Sequence, residues 1–339
     1  MSVTSYKLLG CPLDNAIRSM LRYGRGLTGA ADGPQAVWDA LKVSPDDIVA
    51  ALPGRSLDLA AYNLAVDRDD LHDAAFIERQ LECTLQAHAT IEQAVEDLVR
   101  NGQIPIGIGG DHSVTYPLAR GLMARSCYNR WGLVYIDAHL DLRAWGVDES
   151  ESVVSSGNAF WRLLNDPSVP LSGANVVALG IQRSDTDVYR SLARRAGDYG
   201  LTIVDRPALR SRDLDAVVAE ALDKAGRGTD AIYLSLDMDA FDAGVAPGVS
   251  APNAHGLSEA EGLSLVDGLA RDPRVTAMDV VETSSRETAW FEIVEDRARD
   301  ESPEARSDKL AQTARVAADT IRCFIDAKTD PWARQGQTG

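Results

Sequence analysis

Two stretches decide how this chain folds: Asp137-Ala-His-Leu-Asp141 and Ser235-Leu-Asp-Met-Asp-Ala-Phe-Asp242. The apolar run Gly132-Leu-Val-Tyr-Ile136 leads into the first, and Ala231-Ile-Tyr-Leu-Ser235 leads into the second. Short runs rich in β-branched and aromatic residues read as buried strands. Alternate side chains of an extended backbone point the same way, so Asp137, His139 and Asp141 are expected to converge at one strand end. Asp237 and Asp239 are expected to do the same nearby. A third piece, Gly109-Gly-Asp-His-Ser113, follows Ile104-Pro-Ile-Gly-Ile108 and adds His112. Four carboxylates and two imidazoles in one enclosed site require cations to neutralise them. The expectation is a two-metal hydrolytic centre.

Working outward, strands alternate with helices along the whole chain. A strand at Tyr6 to Leu9 precedes a Gly- and Arg-rich loop from Gly10 to Gly33. Gly33-Pro34 then opens a helix in the proline-first manner. Ile77, Leu81, Leu85 and Ile91 mark a long helix over 75–100, stopped by Asn101-Gly102. After the Asp137 motif, residues 145–158 are too rich in Ser and acid to pack as an element, and loops beside strand ends carry binding residues. The remaining pattern predicts helices near 160–164, 186–199, 213–225, 258–271 and 308–327. It predicts strands at 175–180, 201–204 and 275–281. Segment 295–308 reads as a mobile charged loop, and 329–339 as a disordered tail after one domain over 1–328. This order implies an α/β fold with a mostly parallel sheet, and ligands bind beyond the carboxyl ends of such strands.

Composition bounds the rest. The 339 residues, 45% hydrophobic and 25% charged, are ordinary for a soluble globular protein. No run approaches the roughly 20 apolar residues that span a bilayer, and the N-terminus lacks a secretion pattern. A cytoplasmic protein with no membrane partner is expected. Cys11, Cys83, Cys127 and Cys323 are widely spaced and read as free, buried thiols. A net charge of −17 without a basic stripe argues against nucleic acid as partner.

Aspartate and imidazole without thiolate suit Mn²⁺, with Ni²⁺, Zn²⁺ and Fe²⁺ as alternatives. Binding to such an ion lowers the pKa of water from 15.7 to roughly 7. A nucleophile then exists without serine or cysteine, and Asp141 is placed to orient it and pass its proton to a leaving amine.

The three motifs, in this order and spacing, resemble the metal-binding motifs of the ureohydrolase family of arginases, agmatinases, guanidino-acid hydrolases and formimidoylglutamases. The resemblance runs from Gly24-Arg25 and Gly33-Pro34 to Glu282. It implies a three-layer α/β/α arginase-like fold around an eight-stranded sheet, two Mn²⁺ per subunit and a homo-oligomer, trimer or hexamer. It also implies one metal held by His112, Asp137, Asp141 and Asp237, and another by Asp137, His139, Asp237 and Asp239. Glu282 falls where the family grips the substrate's guanidinium or amidinium.

Within the family, Asp141-Leu-Arg143 together with Ser155-Ser-Gly-Asn-Ala-Phe160 is similar to formimidoylglutamase, and Val249-Ser-Ala-Pro252 leans the same way. Phe160 stands where arginases carry a histidine. Arg143 is then a candidate for a substrate carboxylate, with Ser156, Asn158 and Phe160 as further substrate-side residues. Departures from that group lie in residues 17–26, 144–154 and 283–290, and at Asn158 and His255. An agmatinase, arginase or guanidino-acid hydrolase releasing urea stays open. So do a mononuclear zinc deacetylase of the same broad fold and a non-catalytic binding protein.

Overall fold

The structure, a computed structural model, describes residues 5–14, 29–41, 54–64, 74–144, 154–285 and 302–329. Eight strands make one sheet: β1 (Ser5–Cys11), β2 (Gly54–Ser56), β3 (Gln103–Gly109), β4 (Trp131–Ile136), β5 (Leu171–Ile181), β6 (Thr202–Asp205), β7 (Ala231–Asp237) and β8 (Val275–Val281). Their spatial order is β2-β1-β3-β8-β7-β4-β5-β6. Every pairing is parallel, so the expected mostly parallel sheet is wholly so. The helices are α1 (Gly33–Leu41), α2 (Ala74–Arg100), α3 (Thr115–Arg125), α4 (Ala159–Asn165), α5 (Asp187–Tyr199), α6 (Arg206–Arg210), α7 (Leu214–Gly226), α8 (Glu259–Ala270) and α9 (Pro303–Thr329).

Helices cover both faces of the sheet, which explains the uninterrupted apolar strands. Val134, Ile136, Leu234 and Leu236 face one core, closed by Val37 of α1, Val217 of α7, Leu265 of α8 and Ile321 of α9. Leu133, Tyr135 and Tyr233 face the other, closed by Ile91 of α2, Leu118 of α3 and Phe160 of α4. The three-layer α/β/α arrangement follows directly.

Strand order positions the site. The middle strands β3, β8, β7 and β4 are neighbours, and their last residues lie level: Ile108 opposite Val280, Asp237 opposite Val281, Ile136 opposite Leu236. The segments leaving all four strands therefore emerge side by side.

Several expectations need correction. The charged stretch 295–308 is helical from Pro303 onward, because α9 carries its apolar residues further along and lends its charged first turn to solvent. Strand β2 and helices α3 and α6 carry no clear sequence period. Cys11 is buried, but Cys83 and Cys323 are half-buried and Cys127 is exposed. The readings placed on Gly24-Arg25 and on residues 17–26, 145–153, 286–290, 295–301 and 330–339 lie outside the described residues. Among the described residues, no helix is long and apolar enough to cross a membrane.

Candidate metal centre

Asp137, His139 and Asp141 do meet the other motifs, although not by strand alternation. β4 ends at Ile136, and residues 137–144 are irregular, with Asp141 at φ +43°. β7 ends at Asp237, and Asp239 sits in the short 3-10 turn Met238–Ala240. Local backbone bonds shape both turns. Asp137 Oδ1 accepts from the His139 N–H at 2.6 Å, and Asp237 Oδ1 accepts from the Asp239 N–H at 2.7 Å. Each carboxylate bends its own loop and turns its second oxygen inward. Across the site, Asp239 Oδ1 accepts from the Ala138 N–H at 3.2 Å.

His112 opens the 3-10 turn His112–Val114 after β3. Its approach depends on Gly110, where a Cβ would lie 1.9 Å from the Leu13 carbonyl oxygen. The His112 Nδ1 then faces Asp237 Oδ2 at 2.9 Å, Asp141 Oδ2 at 3.0 Å and Asp137 Oδ2 at 3.4 Å. A second group gathers beside it, with His139 Nδ1 2.9 Å from Asp239 Oδ2 and 3.6 Å from Asp137 Oδ1. The cation-competent groups are His112, Asp137, Asp141 and Asp237, and next to them Asp137, His139 and Asp239, sharing Asp137. Asp237, to which the resemblance gives a bridging role, falls in the first of these groups only, and its Oδ1 accepts from the Asp239 N–H as Asp137 Oδ1 does from the His139 N–H.

Divalent cations fit these residues. His112 Nδ1 and Asp137 Oδ2 are buried with no hydrogen-bond partner among the described residues, although a buried polar atom left alone is costly. The donors are oxygen and imidazole nitrogen, which suits Mn²⁺ and its neighbours. Proton affinities point the same way. Burial, then the charges of Asp239 and Asp141, push Asp137 up to about 7. Burial, then Asp239 and Asp137, hold Asp237 well above the carboxylate range. Burial lowers His112, but the carboxylates of Asp141 and Asp237 more than reverse this and hold it well above the usual histidine value. Protons here occupy places that cations would take.

Glu282 follows β8 at φ +65° and is buried. Its Oε1 accepts from the His112 N–H at 2.8 Å and its Oε2 from Ser250 Oγ at 2.7 Å. Burial, then the charge of Asp111, push its carboxyl up to about 8. Among the described residues, two of the three non-glycine residues with positive φ, Asp141 and Glu282, thus sit in this site, where strained backbone concentrates. The third is His255, an exposed loop residue whose N–H donates to Asp242 and whose carbonyl accepts from Arg206.

The substrate-side residues divide. Arg143 is half-buried, with its N–H bonded to the Gly157 carbonyl and its Cδ 3.1 Å from where a Gly157 Cβ would stand. Ser156 is half-buried in the 3-10 turn Ser156–Asn158. Asn158 is fully buried, and its Oδ1 accepts from the Ser155 N–H in a capping box. Phe160 is fully buried, stacked on Tyr135 at 4.0 Å and edge-on to His112 at 5.2 Å. Its ring therefore backs a ligand, a correction to its expected place on the substrate side: phenylalanine at this position packs into the core under the site. Ser155→Ala is expected to cost about 1 kcal/mol, read as a lowered denaturant midpoint at unchanged slope. Sequence reasoning missed Ser250 and Asp279, since a lone serine or a strand-interior aspartate carries no spacing signal.

The model of the arginase family matches residues 4–325. The chain belongs to the arginase family. Among other arginase-family proteins it is similar to the N(1)-aminopropylagmatine ureohydrolase of Thermus thermophilus, 30% identical over 260 residues, covering 76% of this chain and 78% of that protein. It is likewise similar to the formimidoylglutamase of Halalkalibacterium halodurans, 30% identical over 283 residues, covering 83% and 80%. The crystal structure of formimidoylglutamase from Bacillus subtilis shares the fold at TM-score 0.71 and 21% identity, covering 98% of this chain and 89% of that one. The zinc deacetylase and binding-protein readings lose ground to this arginase-family membership with every ligand-type residue kept.

Proposed function

We propose that this chain is a binuclear-metal hydrolase of linear amidine or guanidine C–N bonds, of the formimidoylglutamase type. The reaction is formimidoylglutamate plus water giving glutamate and formamide. The assembly of His112, Asp137, His139, Asp141, Asp237 and Asp239 at the level ends of adjacent strands carries this reading. Two Mn²⁺ ions held there would supply an acidified water and a Lewis acid.

The protein's own residues supply the rest. Asp141, the most exposed carboxylate of its group at 12% of the side chain, orients the water and delivers a proton to the departing nitrogen. Glu282 offers its carboxylate to the amidinium, a cation that favours the ionised form over the buried neutral acid. Ser250 and the His112 N–H fix its two oxygens. Arg143, half-buried beside Gly157, pairs with a substrate carboxylate, with Ser156 contributing from the Gly157 turn. The enzyme works in the cytoplasm as a homo-oligomer.

Arg143, a cation able to pair with a substrate carboxylate, favours formimidoylglutamate over a guanidine. The second reading, release of urea from an agmatine-like cation, rests on the equal 30% identity to the aminopropylagmatine ureohydrolase. Mn²⁺-loaded protein assayed on formimidoylglutamate, arginine, agmatine and guanidino acids separates the two. Arg143→Ala is expected to lower kcat/KM for formimidoylglutamate about 10–100-fold, the scale of a lost charge-assisted bond, chiefly through KM. Turnover of agmatine alone by the parent protein would remove the formimidoylglutamase assignment.

A further inference from the structure

His112 presents two nitrogens, and the surroundings dictate which must carry the proton. Nδ1 looks at three carboxylate oxygens within 3.4 Å. To serve a cation it must offer a lone pair, so the hydrogen belongs on Nε2. Nε2 is paired with Ser235 Oγ at 3.4 Å. A serine hydroxyl accepts as readily as it donates, so by itself it leaves the tautomer open.

The next residue removes that freedom. Asp279, fully buried in the middle of β8, lies directly across from Ser235 on β7. Its Oδ1 accepts from Ser235 Oγ at 2.7 Å, and its Oδ2 accepts from the Tyr233 hydroxyl at 2.8 Å. With its one hydrogen committed to Asp279, Ser235 has only lone pairs left to show His112. Nε2 must then donate, and in the neutral ring that a cation requires, Nδ1 is left with its lone pair towards the site.

We propose that Asp279 is a positioning residue for the metal centre, acting through Ser235 to fix the His112 tautomer and ring orientation. This inference rests on the two-cation reading above. Outer partners of a metal-bound histidine typically carry 10–100-fold in metal affinity. The line is directional: Tyr233 completes the Asp279 carboxylate but does not lie between it and His112. The effect therefore belongs to the His112 group and not to the group of His139 and Asp239.

The test titrates Mn²⁺ into the chelated full-length protein, with calorimetry for affinity and electron paramagnetic resonance to separate coupled pairs from single ions. The parent protein is expected to bind two ions. Asp279→Asn and Ser235→Ala are expected to weaken one of the two sites about 10–100-fold while the other holds, so that a single-ion spectrum appears at intermediate Mn²⁺. Ser235→Thr keeps the hydroxyl and is expected to restore the pair. Tyr233→Phe is expected to lower thermal stability and leave both affinities in place. Equal weakening of both sites in step with stability would reduce Asp279 to a structural role and overturn the proposal, as would unchanged affinities in both Asp279→Asn and Ser235→Ala. A parent protein that binds no Mn²⁺ would instead defeat the two-cation reading itself.

Discussion

Asp237→Ala is expected to abolish two-ion loading and to lower hydrolysis by roughly 1,000-fold, about 4 kcal/mol in the barrier. The chelated protein is expected to stay about as stable as the parent. Both parts follow from where Asp237 sits. It is the last residue of β7, nearly sealed from solvent, with Oδ2 2.9 Å from His112 Nδ1. Without cations, burial first, and then repulsion from Asp239 and Asp137, raise its proton affinity. Removing it relieves that repulsion, offset by loss of the Asp239 N–H bond at 2.7 Å and of the pairing with His112 at 2.9 Å. With cations the balance inverts. A ligand at 1,000 times its Kd stabilises the folded state by about 4 kcal/mol, and the variant forfeits this. Thermal unfolding with Mn²⁺ and with chelator should therefore show a large upward shift in the parent and almost none in the variant. Metal analysis finding two ions per chain in Asp237→Ala would sink the ligand assignment.

The ligand set was legible because three motifs each follow a buried strand, and a parallel sheet sends every strand's end to the same side. The route by which the side chains meet was not legible in those terms. Alternation along an extended strand would have spread Asp137, His139 and Asp141 up one wall, whereas each motif leaves its strand at once and folds on its own carboxylate. Such turns depend on single N–H to carboxylate bonds, and Asp141 requires a positive φ that no local pattern announces. Phe160 shows a different gap. Its place in the motif was evident, but whether its ring faced substrate or core depended on Tyr135 and His112, which come from other elements. Asp279 and Ser235 were hidden for the same reason, since cross-strand register joins them. Helix α3 escaped notice because it is buried along most of its length, so its residues lack the polar face that would mark a helical period.

The chelated protein is expected to lose stability as pH rises from about 6 to 9, and cation loading is expected to reverse that slope. The sign follows from the groups involved. Asp137 is pushed up to about 7 and Glu282 to about 8, while an unfolded chain returns them to their ordinary values of 3.8 and 4.5. A group with a raised folded-state pKa binds its proton more tightly when folded. Its contribution is complete below the unfolded value and is lost as pH climbs through the folded one. His112, also raised, contributes in the same direction above its ordinary 6.5. Asp239 is lowered: burial raises it, but the charge and hydrogen bond of His139, the Ala138 N–H and the charge of His112 together more than reverse this, so it works the other way, in a window near pH 4 and below. A tenfold gain in proton affinity on folding is worth about 1.4 kcal/mol, so these sites together contribute on the order of a few kcal/mol across the neutral range. Cations compete for the places those protons hold, so their affinity grows as pH rises. The gap in Tm between Mn²⁺-loaded and chelated protein should accordingly widen from pH 6 to pH 9, and Mn²⁺ binding near pH 7 should release protons measurable as a buffer-dependent heat. A chelated protein whose Tm climbs over that interval would show that the buried carboxylates are already ionised without metal, and the electrostatic case for the cation pair would fall with it.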